Sequence, residues 1–187
     1  VRAFQGSHPP LTVDGTVGPA TWAALRKPST HSIASKWRVE WGEVRPALVD
    51  VVKAAVGEIG VAEDPPGSNR GPRVDIYGGN GQPWCAFWVS WAYKHMDTGS
   101  PFGTLASAYK LWQWGKRLDR VLADGAPALP GDVLIILRGD FHGHVGLVVG
   151  DEAGKLSTIE GNSRNSVRGL LRDREALTAI VRPVPFV

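Results

Sequence analysis

Apolar side chains recur at helical spacing in one early stretch. Leu48, Val51, Val52, Ala55, Val56 and Ile59 share a stripe, while Asp50, Lys53 and Glu58 fall elsewhere, the pattern of an amphipathic helix with one buried face. A second stretch, Cys85-Ala86-Phe87-Trp88-Val89-Ser90-Trp91-Ala92-Tyr93, is apolar nearly all round, which predicts a helix buried in the centre of the domain. Pro83 keeps that helix from starting much earlier, because a proline holds the residue before it out of helical dihedrals. A third helix is predicted over Thr104 to Trp114. After Pro130-Gly131 the pattern changes to short β-branched segments separated by turn residues: Asp132 to Leu137, His144 to Val149, Lys155 to Glu160 and Leu177 to Val181. These read as strands. Helices followed by consecutive strands predict an α+β fold, with helices packed on an antiparallel sheet.

Between the first two helices, Glu63 to Gln82 is rich in Pro, Gly and Asn and predicts an irregular surface loop, tied down by Val74, Ile76 and Tyr77. Residues 1–26 form a separate unit. Val1-Arg2-Ala3-Phe4-Gln5 reads as a helix end, a Gly-rich turn follows, and Pro19 fits the first position of a second helix on which Trp22 and Leu25 share a face. Residues 27–45 show no clear period and read as a linker, so the main domain is expected to span 46–187.

Composition narrows the class. The chain has 187 residues, 43% of them hydrophobic, enough for a sizeable core, and its longest apolar run falls far short of the roughly 20 residues of a membrane helix. The first residues carry neither an initiator Met nor the features of a secretory signal, so the natural N-terminus is expected to lie upstream. The net charge is +3 and the pI near 9.2, with basic and acidic residues interspersed. That balance suits anionic wall polymers better than a nucleic-acid groove.

The single cysteine, Cys85, excludes an internal disulfide and a multi-thiolate zinc site. At a helix start, free backbone N–H groups and the helix dipole favour a thiolate, and the same groups can hold an oxyanion. His144 lies in Phe141-His142-Gly143-His144-Val145-Gly146, at the start of a predicted strand beside a glycine that admits close approach, which makes it a candidate base. His142 competes for that role, and His-x-His can also bind metal, but one pair falls short of a zinc site. In Ile159-Glu160-Gly161-Asn162, Glu160 and Asn162 share a face if the strand continues, and either can accept the imidazole N–H. Each residue alone has a bland reading: a small buried hydrophobe, an exposed strand histidine, a charged strand end. Together they follow the order nucleophile, base, orienter.

Residues from about 47 to 183 resemble a CHAP domain, the cysteine- and histidine-dependent amidohydrolase/peptidase branch of the papain-like and NlpC-like hydrolases. The resemblance rests on Pro83 through Trp91, on Leu129-Pro130-Gly131-Asp132-Val133 through Gly143-His144-Val145-Gly146, and on Ile159-Glu160-Gly161-Asn162. It implies Cys85 as nucleophile, His144 as base and Glu160 as the orienting residue, with Asn162 as a further partner. It implies hydrolysis of peptidoglycan without a cofactor, at the bond between the glycan's lactyl group and the first alanine, or within the stem or cross-bridge. Some relatives bind calcium through an Asp-rich segment before the cysteine. Here that stretch is Asp75 to Gln82, with one carboxylate, and no calcium or other metal is expected.

Asn80 and Gln82 are candidate oxyanion donors. Trp84, Trp88, Trp112 and Trp114 are expected to pack in the core in preference to contacting sugar. The first 25 residues resemble the end of a peptidoglycan-binding module. These features predict an endolysin or secreted autolysin acting as a monomer outside the cytoplasm on peptidoglycan, with no nucleic-acid or membrane partner. The alternatives are an inactive wall-binding protein and, last, a thiol hydrolase of small amides.

Overall fold

The computed structural model describes residues 1–2, 5, 11–15, 20–21, 37–139, 142–152 and 154–185. The chain divides into two compact units, Val1–Arg38 and Val39–Val187. In the first, Arg2, Gln5, Ala20 and Thr21 are helical. The buried Gln5 amide donates to Asp14 Oδ1 at 2.7 Å and Thr21 Oγ1 at 3.1 Å, and accepts from the Gly15 N–H at 2.9 Å. A buried amide with both ends satisfied is a strong local tie. Phe4, Trp22 and Leu25, on which the expected helix packing rested, lie outside the described residues.

The second unit contains, among the described residues, three α-helices: α1 (Val49–Gly57), α2 (Cys85–Tyr93) and α3 (Ala108–Arg117). Five strands follow in sequence: β1 (Val133–Arg138), β2 (His142–Glu152), β3 (Lys155–Ser163), β4 (Ser166–Asp173) and β5 (Ala179–Val181), in the antiparallel order β4-β3-β2-β1-β5. This is the α+β architecture that the hydrophobic pattern predicts. α1 and α2 begin and end close to their predicted limits. α3 starts later than Thr104, at a cap in which Ser107 Oγ accepts the Lys110 N–H at 3.2 Å, satisfying one of the helix's orphan donors.

Strand β4 is absent from the pattern reading. Its sequence, Ser166-Val167-Arg168-Gly169-Leu170-Leu171-Arg172-Asp173, breaks alternation with adjacent leucines and carries two arginines. It forms because Arg164 and Asn165, both at positive φ, turn the chain back directly onto β3, with Ser163 paired to Ser166, the hairpin geometry that two left-handed residues provide. The unit also reaches further toward the N-terminus than Pro46. The Glu40 N–H donates to the Val149 carbonyl at 2.8 Å, and Val44 is buried, so part of the expected linker is fastened to the sheet. No helix among the described residues is long and apolar enough to cross a membrane.

Helix α2 lies in the core with Trp88, Val89, Ala92 and Tyr93 fully buried, against α1 residues Val51, Val52 and Ala55. Two glycines let it and the site pack closely. A Cβ on Gly161 would sit 2.5 Å from Trp88 Cγ, and one on Gly146 would sit 2.5 Å from Glu160 Cγ. A second apolar cluster, Ala128, Leu134, Val148, Leu156 and Ile180, consolidates the sheet. Asp132, fully buried, ties the start of β1 to the C-terminal segment. It accepts from Arg182 Nε at 3.0 Å, Arg182 Nη2 at 2.7 Å and the Leu129 N–H at 2.9 Å, while the Tyr93 hydroxyl donates to the Gly131 carbonyl.

Candidate active site

Three elements converge on one point. Cys85 is the first residue of α2 and only 7% exposed. His144 comes from β2, and its Nε2 lies 2.7 Å from Oε2 of Glu160 on β3. Cys85 is the other group that acts on the His144 ring, raising its pKa. With Nε2 engaged by the carboxylate, Nδ1 is the nitrogen left for sulfur. Strand geometry produces this arrangement. Successive residues of β3 point to opposite faces, so Glu160 reaches His144 beneath the open side of Gly146, while Gly161 presents its bare Cα to Trp88 on the helix that begins with Cys85.

The carboxylate of Glu160 is fully buried and fully used. Oε1 accepts the Thr158 hydroxyl at 2.8 Å and Arg172 Nε at 2.7 Å, and Oε2 accepts Arg172 Nη2 at 2.6 Å beside the imidazole. Burial pushes its pKa up, but the Arg172 fork, the His144 ring and the Thr158 hydroxyl outweigh burial and hold the group down at about 2. It is therefore a carboxylate at any ordinary pH. For His144, burial disfavours the charged ring, yet hydrogen bonding and charge from Cys85 and Glu160 together raise it to about 9. The site is thus built to hold an imidazolium against a carboxylate.

Asn162 is not where the spacing from Glu160 puts it. The β3–β4 pairing shifts register between Glu160 and Ser163, and Asn162 adopts φ of 56°. That bulge carries its side chain away from the imidazole. With its amide turned to satisfy its neighbours, the oxygen accepts the Trp84 N–H at 2.9 Å and the nitrogen donates to Glu63 Oε1 at 3.3 Å. Glu63, 4% exposed, also accepts the Trp84 indole N–H at 2.9 Å and the Asn69 N–H at 3.0 Å. Asn162 is therefore tied to the residue preceding Cys85. The Trp84 N–H being engaged, the free donors of the first helical turn belong to Cys85, Ala86 and Phe87.

Residues 77–162 match the family model of the CHAP domain. That segment is similar to a CHAP domain and contains Cys85, His144 and Glu160. The CHAP family comprises peptidoglycan amidases and peptidases, and the three-helix, antiparallel-sheet architecture is consistent with its papain-like fold. No curated protein and no solved structure matches the chain.

The other candidates separate cleanly. His142 is exposed on β2 opposite Arg138, and among the described residues no group of three or more His, Cys, Asp or Glu is placed to hold a metal ion. Asn80 and Gln82 are exposed on the loop before α2. Trp84 and Trp88 are fully buried core residues. Trp112 and Trp114 are half-buried on α3; Trp112 packs on Tyr109 and beneath Lys116, Trp114 against the edge of Phe102.

Sequence reading missed Arg172, Thr158 and Glu63. Thr158 had a signal, since it lies two residues before Glu160 on the same strand face. Arg172 and Glu63 had none, because each reaches the site from a segment that only the tertiary fold brings near.

Proposed function

We propose that this protein is a peptidoglycan hydrolase that cleaves an amide bond of the cell wall by acyl transfer through Cys85, with His144 as acid and base and Glu160 holding the ring. The observation that carries the reading is the His144 ring held at 2.7 Å by a buried, ionised Glu160, with Cys85 acting on the same ring, within a segment similar to a wall-hydrolase family.

The Cys85 thiolate attacks the amide carbonyl carbon, forming a C–S bond and pushing an electron pair onto oxygen. The N–H groups at the start of α2 stabilise that oxyanion. As the intermediate collapses, the C–N bond breaks and the His144 imidazolium gives its proton to the departing amine. Water then attacks the thioester while His144 takes a proton from it. The C–S bond breaks, the acid leaves and the thiolate–imidazolium pair is restored. Glu160 stays ionised throughout and fixes Nε2, so that Nδ1 faces sulfur.

The scissile bond is either the lactyl–alanine amide or a peptide bond of the stem or cross-bridge. The enzyme, as an endolysin or autolysin, acts outside the cytoplasm as a monomer. The test is incubation of the protein and its Cys85→Ala variant with purified peptidoglycan, following turbidity and identifying new termini by mass spectrometry. Clearing by the wild type alone supports the thiol mechanism, and the termini name the bond. Equal clearing by both removes Cys85 as nucleophile; clearing by neither leaves a wall-binding protein.

A further inference from the structure

Glu160 is a buried carboxylate whose position depends on a residue outside the segment that matches the family model. Arg172, on β4, approaches it with two parallel N–H groups, at 2.7 Å to Oε1 and 2.6 Å to Oε2, whereas the match ends at residue 162. A fork of this kind fixes both the place and the plane of a carboxylate, which a single ammonium cannot do. The same oxygen that takes Arg172 Nη2 takes His144 Nε2. The plane of Glu160 therefore sets the direction in which the imidazole presents its other nitrogen to Cys85.

We infer that Arg172 is a positioning residue for the thiol chemistry, acting through Glu160 to hold His144 and to balance the charge of the site. The inference rests on the reading of Cys85 as nucleophile. The charge argument is direct. Arg172 and Glu160 cancel, so the thiolate–imidazolium pair, and an oxyanion facing imidazolium, each leave the constellation neutral. Without the guanidinium, every one of those states carries a buried negative charge with no arginine bonded to Glu160 to offset it.

The charged and titratable groups around the pair are His144 from β2, Arg172 and the half-buried cross-strand neighbour Arg168 from β4, and, facing the ring, Cys85 from α2. His142 is exposed. Of these, Arg172 contributes most to keeping Glu160 ionised against burial.

The test exploits the chain's single cysteine, which makes alkylation by iodoacetamide a specific report on Cys85, independent of any wall substrate. Wild type, Arg172→Met and Arg172→Lys are compared in alkylation rate from pH 3 to 10 and in clearing of peptidoglycan. Folding is checked by circular dichroism. In Arg172→Met the acid limb of the alkylation profile is expected to move to higher pH, because a Glu160 stripped of the fork takes up a proton more readily and ceases to hold the imidazolium. Clearing is expected to fall on the order of 10-fold, the scale of losing an outer partner of a functional histidine. Guanidinium ion, at concentrations below those that unfold the protein, is expected to restore part of the loss in Arg172→Met, and Arg172→Lys to fall between the two.

An unchanged alkylation profile and undiminished clearing in Arg172→Met overturn the inference. So does a loss of rate with no change in profile and no rescue, since that is what general destabilisation does. If Arg172→Met does not fold, the profile of Arg172→Lys decides alone: a shift supports the inference and coincidence with wild type overturns it. A wild type that alkylates with the expected profile yet clears no wall counts against the wall-hydrolase reading and leaves the role of Arg172 standing.

Discussion

Each carboxylate oxygen of Glu160 takes two hydrogen bonds within 2.8 Å, and the side chain has no exposed surface. A glutamine in its place offers one acceptor oxygen and no charge, leaving the Arg172 guanidinium and the imidazolium without a counter-ion. Glu160→Gln is accordingly expected to slow wall clearing by roughly 10²- to 10⁴-fold, the range over which acid–base catalysis acts. A turbidity assay measures this, and a variant retaining wild-type rate removes Glu160 from the mechanism. At the same scale, Asn162 shows how one backbone angle reassigns a side chain. At positive φ its amide serves Trp84 and Glu63 in place of the imidazole. Asn162→Ala is expected to lower thermal stability, with a ΔΔG of about 1–3 kcal/mol for the buried groups left unmatched, while the pH dependence of Cys85 alkylation keeps its shape. A changed shape would restore Asn162 to the imidazole.

Helix α2 and strand β3 meet through the bare Cα of Gly161, where a methyl group would overlap the Trp88 indole at 2.5 Å. Gly161→Ala therefore has to push apart the two elements that carry Cys85 and Glu160. It is expected to cost about 1–3 kcal/mol by overpacking and to reduce clearing more than an equally destabilising change elsewhere. Urea melts combined with activity at one temperature separate the two effects; proportionate losses would mean the spacing of α2 and β3 is not critical. Helix α1 was legible in the sequence because its apolar stripe follows the 3.6-residue period, and α2 because its run is apolar nearly all round. Strand β4 was not, because Arg168, Gly169 and Arg172 dilute its alternation. Yet β4 delivers the guanidinium that holds Glu160.

For the whole molecule, the ionisation of the site couples chemistry to stability. His144 is raised to about 9 from an ordinary value of 6.5. Its contribution is fully present below 6.5 and is lost as pH rises through 9. Glu160 is lowered to about 2 from 4.5, so its contribution is present above 4.5 and is lost as pH falls through 2. Thermal melts across pH are expected to decline on the alkaline side between these His144 values, and less steeply in Glu160→Gln. An identical alkaline slope would show that the pair does not carry the effect. Asp132 is a further polar anchor of the second unit. Asp132→Ala takes both fork acceptors from the half-buried Arg182 guanidinium and leaves the Leu129 N–H without its partner; it is expected to destabilise by about 1–3 kcal/mol, read from the urea midpoint, without altering the alkylation profile of Cys85.

The sequence by itself determined the helices, four of the five strands and the α+β class, and it singled out Cys85, His144 and Glu160 in the order proposed for nucleophile, base and orienter. Period and residue type are local properties, and a helix-start cysteine and a strand histidine keep their chemistry wherever the elements pack. The tertiary structure alone decided what surrounds them: Arg172 clamping Glu160 from the neighbouring strand, Glu63 and Asn162 fastening Trp84, and Glu40 and Val44 joining the sheet unit. Those contacts depend on register, on a bulge and on a hairpin turn. A shift of one residue in any of these sends a side chain to the opposite face, and no local pattern in the sequence records such a shift.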